Sequence, residues 1–157
     1  MLKSRTYGSC WHMNESESEA MWRLYCGAKG GIAIRTTYEK LRISFPDEAI
    51  HIELVTYKDY ETEGYPIVRL DPEWPPEYVD LSPFMHKRMA FEHEREVRVI
   101  KKVDATANDN CAAGIRLEWD LEDIVDAIYV NPYAGDGYLE VVEAVVAKFA
   151  PQLERLT

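Results

Sequence analysis

Cysteine is scarce in this chain: Cys10, Cys26 and Cys111 are the only three in 157 residues. They are odd in number, far apart and without a C-x-x-C spacing. That argues against a disulfide framework and against a zinc site at Cys10 and His12. Buried free thiols in a cytoplasmic protein are expected instead. No stretch approaches the roughly 18 apolar residues of a membrane span. The opening Met1-Leu2-Lys3-Ser4-Arg5-Thr6-Tyr7 holds no apolar core of a secretory leader. Basic residues are also short, 18 Lys and Arg against 28 Asp and Glu, for a net charge of -10. Bulk nucleic-acid binding is thereby disfavoured, because that affinity comes from cations on phosphates. A metal-dependent nuclease using the chain's glutamates would lack the same basic surface. G-x-G-x-x-G, G-x-S-x-G and H-E-x-x-H are all missing, so Rossmann enzymes, serine hydrolases and zincins have no support.

What is present suffices for a folded domain. Apolar residues make up 46% and charged residues 29%, enough to bury a core. The pattern predicts an α+β fold, a single compact domain over 1–157 with a mixed, mostly antiparallel sheet and helices packed on it. Residues 5–12 read as a first strand. Asn14, with Glu17 in the capping-box position, opens a helix over about 15–26 whose inner face is Ala20, Met21, Leu24 and Tyr25. Gly27, Gly30 and Gly31 then turn the chain into the strand Ile32-Ala33-Ile34. The loop's one Lys, Lys29, lacks P-loop spacing and precedes a strand, so a tight turn accounts for the glycines. Thr37 caps a short helix through Leu41, and Ile50, Ile52 and Leu54 alternate as a half-buried strand. A proline-rich connection covers about 59–83. Met89 to Lys102 reads as one strand, pairing through a turn at Asn108-Asp109-Asn110 with Ile115–Trp119 as a hairpin. Asp120 caps a helical turn through Val125, and Ile128–Val130 form a last strand. Asp136 caps an amphipathic helix with Tyr138, Val141, Val142, Val145 and Phe149 inward.

Two constellations carry potential chemistry. On a strand, Glu92, Glu94, Glu96 and Arg98 share one face, with carboxylates about 7 Å apart. Such crowding needs a cation, from Arg98, Lys87, Arg88 or a divalent ion, and raises carboxylate pKa values toward acid–base use. A solvated face with cross-strand ion pairs is the alternative. His93 and Arg95 interrupt the opposite face, so the strand begins to bury properly at Glu96. The second constellation is Trp11, His12, Trp22 and Tyr25, which reads either as an aromatic wall for a ring or as core.

Ser9-Cys10-Trp11-His12, Glu19-Ala20-Met21-Trp22-Arg23-Leu24-Tyr25, Gly31-Ile32-Ala33-Ile34-Arg35-Thr36-Thr37, Lys87-Arg88 and Phe91–Arg98 together resemble an uncharacterised prokaryotic and phage family, domain of unknown function 2971. Members of that family carry a further N-terminal segment ahead of the Ser-Cys-Trp-His block. The resemblance therefore implies a non-catalytic version, or one that borrows the missing part from a partner; a protein partner or a homo-oligomer is the association expected. A looser likeness to ADP-ribosyltransferases implies an NAD- or nucleotide-using transferase or hydrolase of a defence or toxin system. There Glu96, Glu94 and His12 are catalytic, Trp22 or Tyr25 stacks on nicotinamide, and Thr36 or Thr37 lies on the middle strand. The candidate ligand contacts are Trp11, Trp22, Arg23, Tyr25, Arg35, Lys87, Glu92 and Arg98, with NAD as the cofactor implied. In the competing reading, a small interaction or accessory domain, Arg98 pairs with Glu96 and Trp11 and Trp22 pack in the core.

Overall fold

The computed structural model describes residues 6–27, 30–47, 49–64, 81–103 and 113–156. Its strands are β1 (Thr6–His12), β2 (Ile32–Arg35), β3 (Ile50–Leu54), β4 (Thr56–Lys58), β5 (His86–Arg88), β6 (Glu96–Lys102) and β7 (Ala127–Val130). Its α-helices are α1 (Glu19–Tyr25), α2 (Tyr38–Ser44), α3 (Leu121–Ile124) and α4 (Tyr138–Phe149). Short 3-10 helices cover Ser82–Phe84, Met89–Glu94 and Pro151–Leu156. The class is α+β with mostly antiparallel pairing. Instead of one sheet the strands form three small ladders: antiparallel β1-β6-β3, antiparallel β2-β7 and parallel β4-β5. Contacts divide the chain into two compact units, Met1–Glu15 with Asp47–Ile115, and Ser16–Pro46 with Arg116–Thr157.

In the first unit β6 is the central strand, because its residues are apolar enough to be covered on both faces. Val97, Val99 and Ile100 are all buried. Leu81 and Met85, flanking the first 3-10 helix, pack with Ile100. β1 and β3 take both edges of β6, with Trp11 and Leu54 opposite Val97 and with Cys10 and Glu53 opposite Arg98. The expected hairpin is therefore corrected. Both flanks of β6 are occupied, residues 115–119 form no strand, and Trp119 instead meets Phe45 edge-on at 5.3 Å. The proposed turn at 108–110 and most of the proline-rich connection lie outside the described residues. The long strand is also shorter than its pattern suggested: Met89–Glu94 is a 3-10 helix, and Arg95 breaks it at φ 41°. Cys10 is exposed, not buried, since it lies mid-way along edge strand β1; Cys26 is half-buried, and both are free thiols.

In the second unit α1 starts at Ser18, whose Oγ accepts from the Met21 N–H, while Asn14 accepts from the Glu15 N–H and Glu17 from the Trp22 indole at 3.0 Å. The inward residue is Trp22, 6% exposed, whereas Leu24 is 59% and Tyr25 65% exposed. The indole offers the most apolar area on this helix, and the helix rotates to bury it. Thr37 and Asp120 cap α2 and α3 as expected. α4 starts at Gly137, φ 81°, not at Asp136. It buries Val142 and Val146, and Val141, Val145 and Phe149 remain exposed. Gly30 and Gly31 serve close packing more than turning: an added Cβ would lie 2.0 Å from the Tyr138 ring and 2.4 Å from Cys26 Sγ, respectively. Lys29 lies outside the described residues.

Candidate functional site

The parallel β4–β5 pair sets Tyr57 beside Lys87, and both meet the first residue of β6. Tyr57 Oη accepts from the Glu96 N–H at 2.8 Å. Lys87 Nζ donates to Glu96 Oε1 at 2.8 Å and also to Glu94 Oε2. Arg98 is two residues along β6 and so on the same strand face as Glu96. Its Nε and Nη2 lie 2.7 and 2.6 Å from Glu96 Oε2, and its Nη1 donates to the Phe84 carbonyl. Two buried carboxylates thus meet two cations in a closed network whose formal charges cancel.

Electrostatics follow from that closure. Burial pushes the Glu96 carboxyl up, but hydrogen bonds with Lys87, the Glu94 carboxyl and Arg98 outweigh it and hold Glu96 below the usual carboxylate range. Burial likewise opposes the charge on Lys87, while Glu94 and Glu96 hold its ammonium above the usual lysine range. Glu96 is consequently ionised at neutral pH with both oxygens engaged. Such a carboxylate is a poor general base and cannot donate a proton.

Local backbone builds the network. Arg95 in the left-handed region is the joint between the 3-10 helix and β6; its N–H donates to the Glu92 carbonyl, and its carbonyl accepts from the Met13 N–H at 2.9 Å. Beside it, His12 Nδ1 lies 2.7 Å from the Glu94 carbonyl and donates to it. His12 is the cross-strand partner of Glu96, and its Nε2 is buried with no hydrogen-bond partner. Glu94, Glu96, Arg98, Lys87 and His12 are therefore brought together. Glu92 is not: with no continuous strand it sits exposed on the 3-10 helix, as does His93.

Trp11 is half-buried on β1 of this unit. The remaining candidates belong to the second unit. Trp22 is buried and tied to Glu17. Arg23 pairs with Glu19 at 2.9 Å and lies 4.5 Å over the Tyr133 ring. Hydrogen bonds from Tyr133 and Arg23 hold the exposed Glu19 below its ordinary range. Arg35 donates to Tyr129 Oη at 2.7 Å. Thr37 is a helix cap, and the Thr36 hydroxyl is buried. Sequence reading missed Tyr57 and the Phe84 carbonyl; the β4–β5 pairing that delivers Tyr57 joins segments separated by 27 residues and leaves no local signal. Among the described residues, no group of three or more His, Cys, Asp or Glu could hold a metal ion. No helix there is long and apolar enough to cross a membrane. No family model, curated protein or solved structure matches the chain.

Proposed function

We propose that this chain is a small cytoplasmic interaction or accessory domain of the family it resembles, acting by docking to protein, not by catalysis. The observation that carries this reading is the stripe on α4. Val141, Val145 and Phe149 recur every four residues and are 57%, 50% and 73% exposed, beyond the seam through which Val142 and Val146 bury the helix. An apolar stripe on a charged helix marks an interaction surface. The saturated state of Glu96 adds support, because it gives the strongest catalytic candidate a holding role. A second copy of the chain is the partner that can be tested directly. Sedimentation over a concentration series should give a dimer for the parent chain and a monomer for Val145→Asp. A parent chain that stays monomeric at every concentration would remove the self-docking form of this reading.

The buried, unpartnered His12 Nε2 beside Glu96 favours a second reading, an NAD- or nucleotide-using transferase or hydrolase of a defence or toxin system. Thermal shift with NAD and nucleotides tests it. A ligand at 100 times its Kd stabilises by about 2.7 kcal/mol, and the shift should vanish in His12→Ala. No shift with any nucleotide leaves docking as the function.

A further inference from the structure

We infer that the face of the β4–β5 ladder opposite Tyr57 and Lys87 is a binding site for a phosphate monoester. Side chains alternate along a strand, and Tyr57 and Lys87 both engage Glu96. Their neighbours Thr56, Lys58, His86 and Arg88 therefore share the other face. The register sets Thr56 beside His86 and Lys58 beside Arg88, a two-by-two array with strands about 4.8 Å apart and successive same-face residues about 7 Å apart. Like charges directly opposite one another on a ladder are destabilising. Yet among the described residues no carboxylate pairs with Lys58 or Arg88, in a chain with ten more acidic than basic residues.

None of the described acids nearby forms an ion pair with either cation. Asp59 accepts from the Glu61 N–H and Glu63 accepts from the Asp59 N–H, while Glu92 is exposed on the following 3-10 helix. Phe91 restrains the Arg88 guanidinium, 5.2 Å from its ring centroid, and the Lys87 ammonium lies 4.9 Å from the same centroid, so this ring stands where the two faces meet. A phosphate dianion would bridge the two cations, taking the planar fork of Arg88, the point charge of Lys58 and the Thr56 hydroxyl. His86 donates its Nδ1 proton to the Ser82 carbonyl at 2.7 Å, so its Nε2 becomes a donor only when the ring is protonated. A carboxylate has too little charge to offset both cations, which is why the monoester is the ligand class assigned.

Amide NMR titration of the whole chain tests this, with inorganic phosphate, a sugar phosphate and a nucleoside monophosphate as probes at ionic strength matched by chloride. Saturable shifts should centre on residues 56–58 and 86–88, and comparison of the three probes reads whether sugar or base adds affinity. Lys58→Met and Arg88→Met should each weaken binding about tenfold, the loss of one charge-assisted hydrogen bond. Arg88→Lys should fall between parent and Arg88→Met, and Arg116→Met, in the other unit, should bind like the parent. Circular dichroism checks that each variant is folded. No saturation by about 10 mM phosphate, where a Kd of about 1 mM would be nearly filled, overturns the proposal. So does undiminished binding in a folded variant that combines Lys58→Met with Arg88→Met, or an equal response to chloride alone.

Discussion

A single ammonium, that of Lys87, reaches two buried carboxylates, and its loss leaves charge that Arg98 alone cannot balance. Removing one partner of a buried pair costs about 3–5 kcal/mol. Lys87 keeps about a quarter of its side chain exposed, so Lys87→Met should fall at the low end of that range in urea denaturation at pH 7. Its pH dependence separates charge from packing. Glu96 titrates below its usual 4.5 when folded, so its contribution is complete above the unfolded value and fades as pH falls through the folded one. Lys87 titrates above its usual 10.5 when folded, so its contribution is complete below 10.5 and fades as pH rises through the folded value. The stability gap between parent and variant should therefore be flat from about pH 5 to 10 and narrow on either side. A gap independent of pH would assign the loss to the lysine stem's packing.

Elements turn on which side chain wins the inward position. On α1 that is Trp22, so Trp22→Ala should cost about 3–5 kcal/mol, while Leu24→Ser and Tyr25→Ser, both exposed, should change stability by about 0.5 kcal/mol or less. The reverse ranking would restore the face that helical periodicity indicates. At the Met89–Glu94/β6 joint, Arg95 holds a conformation that is uncomfortable for a β-branched residue. Arg95→Val should lower Tm, and Arg95→Gly should match or exceed the parent. These two elements also mark how much the sequence discloses. β1 and β3 were legible from period-two alternation, β2 and β7 as short apolar runs beside turn residues, and the Thr37 and Asp120 caps from local chemistry. The Glu96–Arg98 pair was legible too, as the bland alternative to a reactive carboxylate face. Illegible were the 3-10 helix at Met89–Glu94, whose acidic alternation mimics a strand, and the choice of β1 and β3 over residues 115–119 as partners of β6. Both depend on contacts distant in sequence. The direction α1 faces was misread because periodicity counts apolar positions without weighing the area each would bury.

At the scale of the whole molecule, a net charge of -10 acts against any association of two copies, while the α4 stripe acts for it. The two forces respond to salt in opposite ways. Repulsion between like-charged molecules is screened beyond about 10 Å at 0.1 M salt and beyond about 3 Å at 1 M. Apolar burial is not weakened by that screening. If Val141, Val145 and Phe149 hold the dimer, sedimentation should show it tightening as sodium chloride rises from about 0.05 M to 0.5 M. An interface held by ion pairs would loosen over the same range. Val145→Asp places a charge within the stripe and should abolish the dimer at every salt concentration. Because Val145 is half exposed and outside the Val142–Val146 seam, the variant's monomer should stay folded, with a stability change within about 1 kcal/mol. A variant that unfolds would instead mean that the stripe packs within its own unit in solution, and the docking role would pass to a different surface.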